Sequence, residues 1–267
     1  MMASIMRHPN NKAPINKSDL PRNGFVVWGR RALIVTLWIA IWEVMYLIIG
    51  SDVYFPSPLA VARTVISLVV KKTTWVVIGY STYRTLIALL ISAVLGVFLG
   101  IACGLSRTLY DIANPLMVVL KSTPVVSVII IAIIWFRSTD VPIFAGILMC
   151  LPIIFTGAVS GIRNTDVKLI EMCRFYRVRR FDMLYSLYFR SSVPYINSSI
   201  VSTVGICWKA VAAAEVLSMP QYSIGTNLYF AKTALDPALL FAWTLIIILL
   251  SYAFEALYAG VSGYDKA

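Results

Sequence analysis

TLIALLISAVLGVFLGIACGL, residues Thr85 to Leu105, carries no charge and is rich in alanine, serine and glycine. A helix rising 1.5 Å per residue needs roughly 20 apolar residues to cross a bilayer core of about 30 Å. This stretch meets that length, and its small residues let a second helix approach closely.

Five further stretches extend the pattern in both directions. They run from Ala32 to Ile49, about Ile112 to Phe136, about Val141 to Ile162, about Ile196 to Val216 and about Pro237 to Tyr258. Each is continuous rather than alternating in polarity, which favours helices over a barrel. The third holds Pro115, Lys121 and Pro124 ahead of VVSVIIIAIIWF, so its first half is expected to be broken or to lie at the interface. The expected fold is all-α: a polytopic membrane protein of about six spans.

Composition agrees. The 267 residues are 60% hydrophobic and 13% charged, with mean hydropathy +0.83, more apolar surface than one soluble core can hide. The net charge of +11 sits beside the spans, which accounts for it without a nucleic-acid partner. Cys103, Cys150, Cys173 and Cys207 form no CxxC pair and no histidine accompanies them, so neither disulfides nor a metal site is expected. The single histidine, His8, and the lack of HExxH or GxSxG motifs leave no catalytic group.

Lysine and arginine set the orientation. Arg7, Lys12, Lys17, Arg22, Arg30 and Arg31 face only Asp19 before the first span, and Arg163 to Arg190 holds seven basic residues against three acidic ones. Six spans put both segments on one side, expected to be the cytoplasm, with Arg63, Lys71 and Lys72 as a smaller discordant group outside. Residues 1–30 then form a cytoplasmic tail without the apolar core of a cleaved signal, 31–260 the transmembrane domain and 261–267 a C-terminal tail.

Within the basic loop, about 163–194, lies EMCRFYRVRRFDMLYSLYFRSSVP, Glu171 to Pro194. Asn164, Thr165 or Asp166 can cap a helix on which Leu169, Cys173 and Tyr176 share a face. After a bend near Arg177 to Arg179, Phe181, Leu184, Tyr185 and Tyr188 repeat the spacing, giving two short amphipathic helices. Two readings fit: the pair lies on the membrane, arginines on phosphates, or it docks into another protein with aromatics in a groove.

The loop resembles the "EAA" loop of permease subunits of binding-protein-dependent ABC importers, with Glu171 at the glutamate and Pro194 at the last proline. YFPSPLAVARTV (Tyr54 to Val65) resembles the family's "PSP" segment, and WKAVAAAEVLS (Trp208 to Ser218) its segment after the loop, of the nitrate, sulfonate, taurine and bicarbonate branch. The stretches NPL (Asn114 to Leu116), STP (Ser122 to Pro124) and IWF (Ile134 to Phe136) fall at fitting intervals. The loop departs from the pattern at Met172 and Cys173, where alanines are expected, at Arg177 for the glycine, and at Arg190 for a proline. A glycine there permits the turn between the loop helices, so Arg177 is expected to bend differently or to continue the helix.

The resemblance implies a permease in a dimer with a second permease subunit, like or unlike, fed by an extracytoplasmic solute-binding protein and driven by a cytoplasmic ABC ATPase dimer in a bacterial inner membrane. It implies that Glu171, Cys173, Arg174, Tyr176, Arg177, Arg179, Arg180 and Phe181 dock the ATPase through a coupling helix. The chain has no GxxxxGK[ST] stretch, so ATP-Mg belongs to the partner and this chain is a transport subunit, not an enzyme. Its solute would be a sulfonate, taurine, nitrate, bicarbonate or a vitamin precursor. An ATP-independent secondary carrier or channel is the competing class; it calls for an internal repeat or intramembrane carboxylates, and only Glu43 lies deep in a span.

Pathway candidates follow from polar residues in or beside spans. Lys121 either snorkels or faces a cavity; Ser122 and Thr123 either line a passage or repair the helix at Pro124. Lys209 and Glu215 lie six positions apart, too far to pair on one face, so each needs another partner. Glu215 would sit near the outer end of its span, either solvated, touching the docked binding protein or gating the pathway. Glu43 would face protein or water as a structural glutamate.

Overall fold

The computed structural model describes residues 24–262; residues 1–23 of the N-terminal tail, with His8, and 263–267 of the C-terminal tail lie outside them. Every described regular element is helical: α1 (Gly24–Ile49), α2 (Pro58–Val70), α3 (Lys72–Leu105), α4 (Arg107–Ser122), α5 (Val125–Trp135), α6 (Val141–Arg163), α7 (Val167–Phe175), α8 (Arg180–Met183), a π turn (Leu184–Phe189), α9 (Arg190–Ser218), α10 (Ile224–Thr233) and α11 (Pro237–Val261). Five are long and apolar enough to span a membrane, six if α4 and α5 count as one bent span.

The described chain divides into two units. The first is essentially α1, an apolar rod that begins at Gly24, within the expected tail; Glu43 on it is partly shielded. The second comprises Ile49 onward and contains the packed bundle.

In that bundle, α3, α6 and α9 form the core. Lipid is as apolar as leucine, so burial alone gains little there and close packing decides which faces meet. Along α3, Ala88, Ser92, Gly96, Gly100 and Gly104 recur every fourth residue and make one smooth face. That face packs on α6, which runs parallel to it: Gly96 meets Ile154, Gly100 meets Ala158 and Gly104 meets Ile162. A Cβ built on Gly100 would stand 2.5 Å from that of Ala158 and 2.8 Å from the Phe155 carbonyl. On its other side α6 packs antiparallel to α9, where Gly161 lies against Ser192 and Gly146 against Val211.

The expected spans differ from the observed helices in instructive ways. α3 extends to Lys72, so the second span begins well before Thr85 and takes in Ser81 and Arg84. The third span is two helices bent by 100°, with the break at Thr123 and Pro124. Pro124 bars its predecessor from the α region. The fifth span is longer than expected, because α8, the π turn and α9 form one continuous helical stretch, Arg180–Ser218. The second of the two short amphipathic helices is therefore no separate element: residues from Arg180 to Phe189 are the start of the long span.

Between spans, α2 begins where Ser57 accepts a hydrogen bond from the Ala60 amide and Pro58 occupies the first turn, which explains why a Ser-Pro pair stands there.

Candidate functional site

At the α7 end of the bundle, Asp166 caps α7 by accepting from the Lys168 amide at 2.9 Å. The helix ends nine residues later in a reversal at Arg177. The Val178 amide donates to the Cys173 carbonyl and the Arg177 amide to the Arg174 carbonyl, the paired bonds of a Schellman cap. Arg177 carries φ +51°, the left-handed conformation that such a cap requires and that glycine adopts freely. The expectation that Arg177 would bend differently or continue the helix is thereby corrected: it makes the glycine-type turn despite its side chain. The Cβ that glycine lacks costs about 1–2 kcal/mol in this conformation.

The reversal turns aromatic side chains outward. Phe175 is 82% exposed and Phe181 77%, with Tyr176 and Tyr185 also exposed. Glu171, Arg174, Arg177, Arg179 and Arg180 surround them in solvent. Cys173 is half-buried; with Arg174, Arg177, Val178 and Arg180 it lines a recess of about 900 Å³ reaching Leu105 at the end of α3. Every expected docking residue thus lies on or beside one corner of the molecule. Leu184 and Tyr188 line the same recess, whereas Tyr185 is exposed, since the π turn rotates them out of the expected shared face.

The opposite end of α3 holds the bundle's other polar centre. Arg84 and Glu215 form a salt bridge at 2.9 Å, with Arg84 4% exposed and Glu215 fully buried. The Ser81 hydroxyl lies 2.8 Å and 2.9 Å from the two carboxylate oxygens, and the Gly225 amide at the start of α10 donates to Oε2 at 3.1 Å. Ser81 Oγ in turn accepts from the Ile224 amide. Arg84 also donates to the carbonyls of Gln221 and Tyr222, fastening a turn in which Met219 and Tyr222 both have positive φ. A Cβ on Gly225 would lie 2.3 Å from that of Glu215, so only glycine lets α10 come this close.

This arrangement corrects the expectation for Glu215. It is neither solvated at a helix end nor available to an incoming protein, because Arg84, Ser81 and the first amides of α10 enclose it. Arg84 stands one residue before the expected start of the second span, so hydropathy alone does not single it out. Its position in the run STYRTL, immediately ahead of the apolar stretch, was the available signal.

The remaining candidates lie elsewhere. Ser122 and Thr123 both donate to the Val119 carbonyl, so their hydroxyls close the broken end of α4. Lys121 donates to Thr156 Oγ1 on α6 at 2.8 Å. Lys209 is exposed on α9, beside buried Trp208, which packs on Phe254.

Comparison with known proteins follows the same outline. The chain is 22% identical over 236 residues to the taurine transport system permease protein TauC of Escherichia coli K12, spanning 85% of this chain and 83% of that protein. It is 28% identical over 193 residues to the nitrate import permease protein NrtB of Synechococcus elongatus, covering 68% of each. Its fold resembles a chain of the inward-facing MetNI methionine ABC transporter, with TM-score 0.57 over 70% of this chain and 95% of that one, at 14% identity. Residues 92–262 match the family described as binding-protein-dependent transport system inner membrane component. The chain belongs to that family: it is a multi-pass membrane protein and a permease subunit of an ABC importer.

Proposed function

We propose that this chain forms part of the translocation pathway for a small anion, of the sulfonate, taurine, nitrate or bicarbonate kind, and that ATP drives it through the α7 corner. The relatives' names support a solute that carries an oxyanion group, the sulfonate of taurine or nitrate itself. The observation that carries the coupling role is the corner itself: Phe175 and Tyr176 at the end of a short capped helix, and Phe181 at the start of the long helical stretch after the turn, all stand exposed. Large aromatics ringed by arginine are the composition of interface anchors.

In this reading the ATPase dimer grips α7, and its closure on ATP-Mg moves α7 and the continuous stretch Arg180–Ser218 together. Because that stretch runs unbroken from the corner across the bundle, a push at Phe181 is carried to the Glu215 end. The chain itself lacks the phosphate-cradling loop, so hydrolysis resides in the partner. Two permease subunits, identical or related, enclose the pathway, and a solute-binding protein delivers to the face opposite α7. The basic loop lies in the cytoplasm together with the N-terminus, a placement that the distribution of lysine and arginine supports.

The test is to tag the chain in its native host, extract the complex in mild detergent and compare wild type with Phe175→Asp/Phe181→Asp. Wild type is expected to bring down a Walker-type ATPase in stoichiometric amount, and the double variant to insert normally but lose it. Retention of the ATPase by the variant, or a wild-type chain that purifies alone while a known importer survives the same procedure, would refute the coupling role.

A further inference from the structure

A polar groove of about 240 Å³ separates α4 from α6 on the α7 side of the bundle. Tyr110 and Asn114 line it from α4, with Lys121 further along the same face; Thr156, Ser160 and Arg163 line it from α6. The Arg163 guanidinium carbon lies 3.7 Å from the centre of the Tyr110 ring, so the cation is laid flat on the aromatic face. Lys121 donates to Thr156. No carboxylate lines the groove, and the Arg84–Glu215 salt bridge lies at the far end of α3.

Arg163 and Lys121 are both exposed at this groove, the lysine reaching it through Thr156, and no acid in its lining balances them. Among the described residues, Asn114, Ser160 and Asn164 make no side-chain hydrogen bond, so the groove holds unused donors beside its positive charge. Thr156 and Arg163 are seven residues apart, which separates the two positive stations by about 10 Å along the helix. A planar guanidinium held open on a tyrosine face presents its N–H edges to a planar or tetrahedral oxyanion, while the lysine acts as a point charge. Two modest stations in series bind an ion firmly enough to admit it and weakly enough to release it.

We infer that the α4–α6 groove is a transit site for a small oxyanion, with Arg163 and Lys121 as its two stations. This rests on the reading of the chain as a permease for small anions.

The experiment uses the reconstituted complex with its ATPase and solute-binding protein; Cys103, Cys150 and Cys207 are buried, and labelling of half-buried Cys173 is subtracted with the otherwise identical complex that lacks the introduced cysteine. Ser160→Cys, and separately Asn164→Cys, is labelled with a methanethiosulfonate carrying a sulfonate or with one carrying trimethylammonium. In both reactions the thiolate attacks the reagent's sulfenyl sulfur, forming a disulfide and releasing methanesulfinate. Relative to a free thiol in solution, the sulfonate reagent is expected to be favoured at least tenfold, and the preference to vanish in Lys121→Gln/Arg163→Gln. A ratio equal to that of the free thiol, or thiols that react with neither reagent, would overturn the transit site.

Taurine and nitrate uptake measured in the same vesicles separates the two readings. Uptake with a flat labelling ratio overturns the groove and leaves the permease reading standing. A strong anion preference without uptake of either solute supports the groove and removes those solutes from the permease reading.

Discussion

The two ends of α3 solve the problem of charge in opposite ways. At one end Arg84 and Glu215 are sealed from water, and Ser81, the Gln221 and Tyr222 carbonyls and the Gly225 amide share in their hydrogen bonding. At the other, Arg174, Arg177, Arg179 and Arg180 stand in solvent beside bare aromatic rings. A closed polar cluster holds helices together, since removing one member strands another in a medium that cannot solvate it. An open one contributes little to its own fold and is free to meet a partner. Charge in a membrane protein therefore reports on structure or on function according to whether its partners lie within the chain.

Changes at four places, the first of them the Arg84–Glu215 pair, sharpen or break that contrast. The largest effect is expected from Arg84→Ala or Glu215→Ala, each of which leaves a buried charge uncompensated at about 3–5 kcal/mol. Thermal unfolding in detergent, followed by a thiol-reactive dye that reports exposure of Cys150 and Cys207, should show a large loss for either single change. Arg84→Met/Glu215→Leu should recover much of it; a double variant as unstable as the sum of the singles would show that the carboxylate and guanidinium are not held chiefly by each other.

Next comes Gly225→Ala, whose added carbon has backbone 2.6 Å away at the Val216 amide. Overpacking of this sort costs about 1–3 kcal/mol, and α10 should detach first, as hydrogen exchange over residues 224–233 would reveal. Unchanged exchange there would mean that α10 is not pinned by the knot.

At the open end, Phe181→Ala should leave the unfolding temperature within a degree of wild type while weakening ATPase binding by about 2 kcal/mol, or roughly thirtyfold. A drop in stability without a drop in binding would place Phe181 with the structural cluster instead. The smallest effect belongs to Arg177→Gly, which relieves the left-handed strain and should stabilise the α7 turn by about 1 kcal/mol, detectable as slower amide exchange at Val178. Faster exchange would mean that the arginine side chain contributes more to the turn than its backbone strain subtracts.

Much of this was legible from residues alone. Length and hydropathy are local properties, so the spans could be placed; the prolines marked the third span as broken or interfacial, but that Pro124 breaks it while Pro115 stays inside α4 was settled only by the structure. The basic loop with its aromatics was likewise readable, because an exposed segment keeps its sequence character in the folded protein. What could not be read was anything that depends on which helix lies beside which. The lysine and glutamate of the run WKAVAAAEVLS cannot pair with each other, but nothing local says that Glu215 reaches back to Arg84, 131 residues earlier.

The same limit hid the groove between α4 and α6, whose packing sets Arg163 on Tyr110 and Lys121 on Thr156. It also hid the shape of the turn at Arg177, where cap hydrogen bonds hold an arginine in a conformation that its own preferences disfavour. Composition and periodicity by themselves determined that the chain crosses a membrane and presents a basic aromatic corner. The tertiary structure alone decided which charges are closed and which remain open, because pairing depends on distances between helices far apart in the chain.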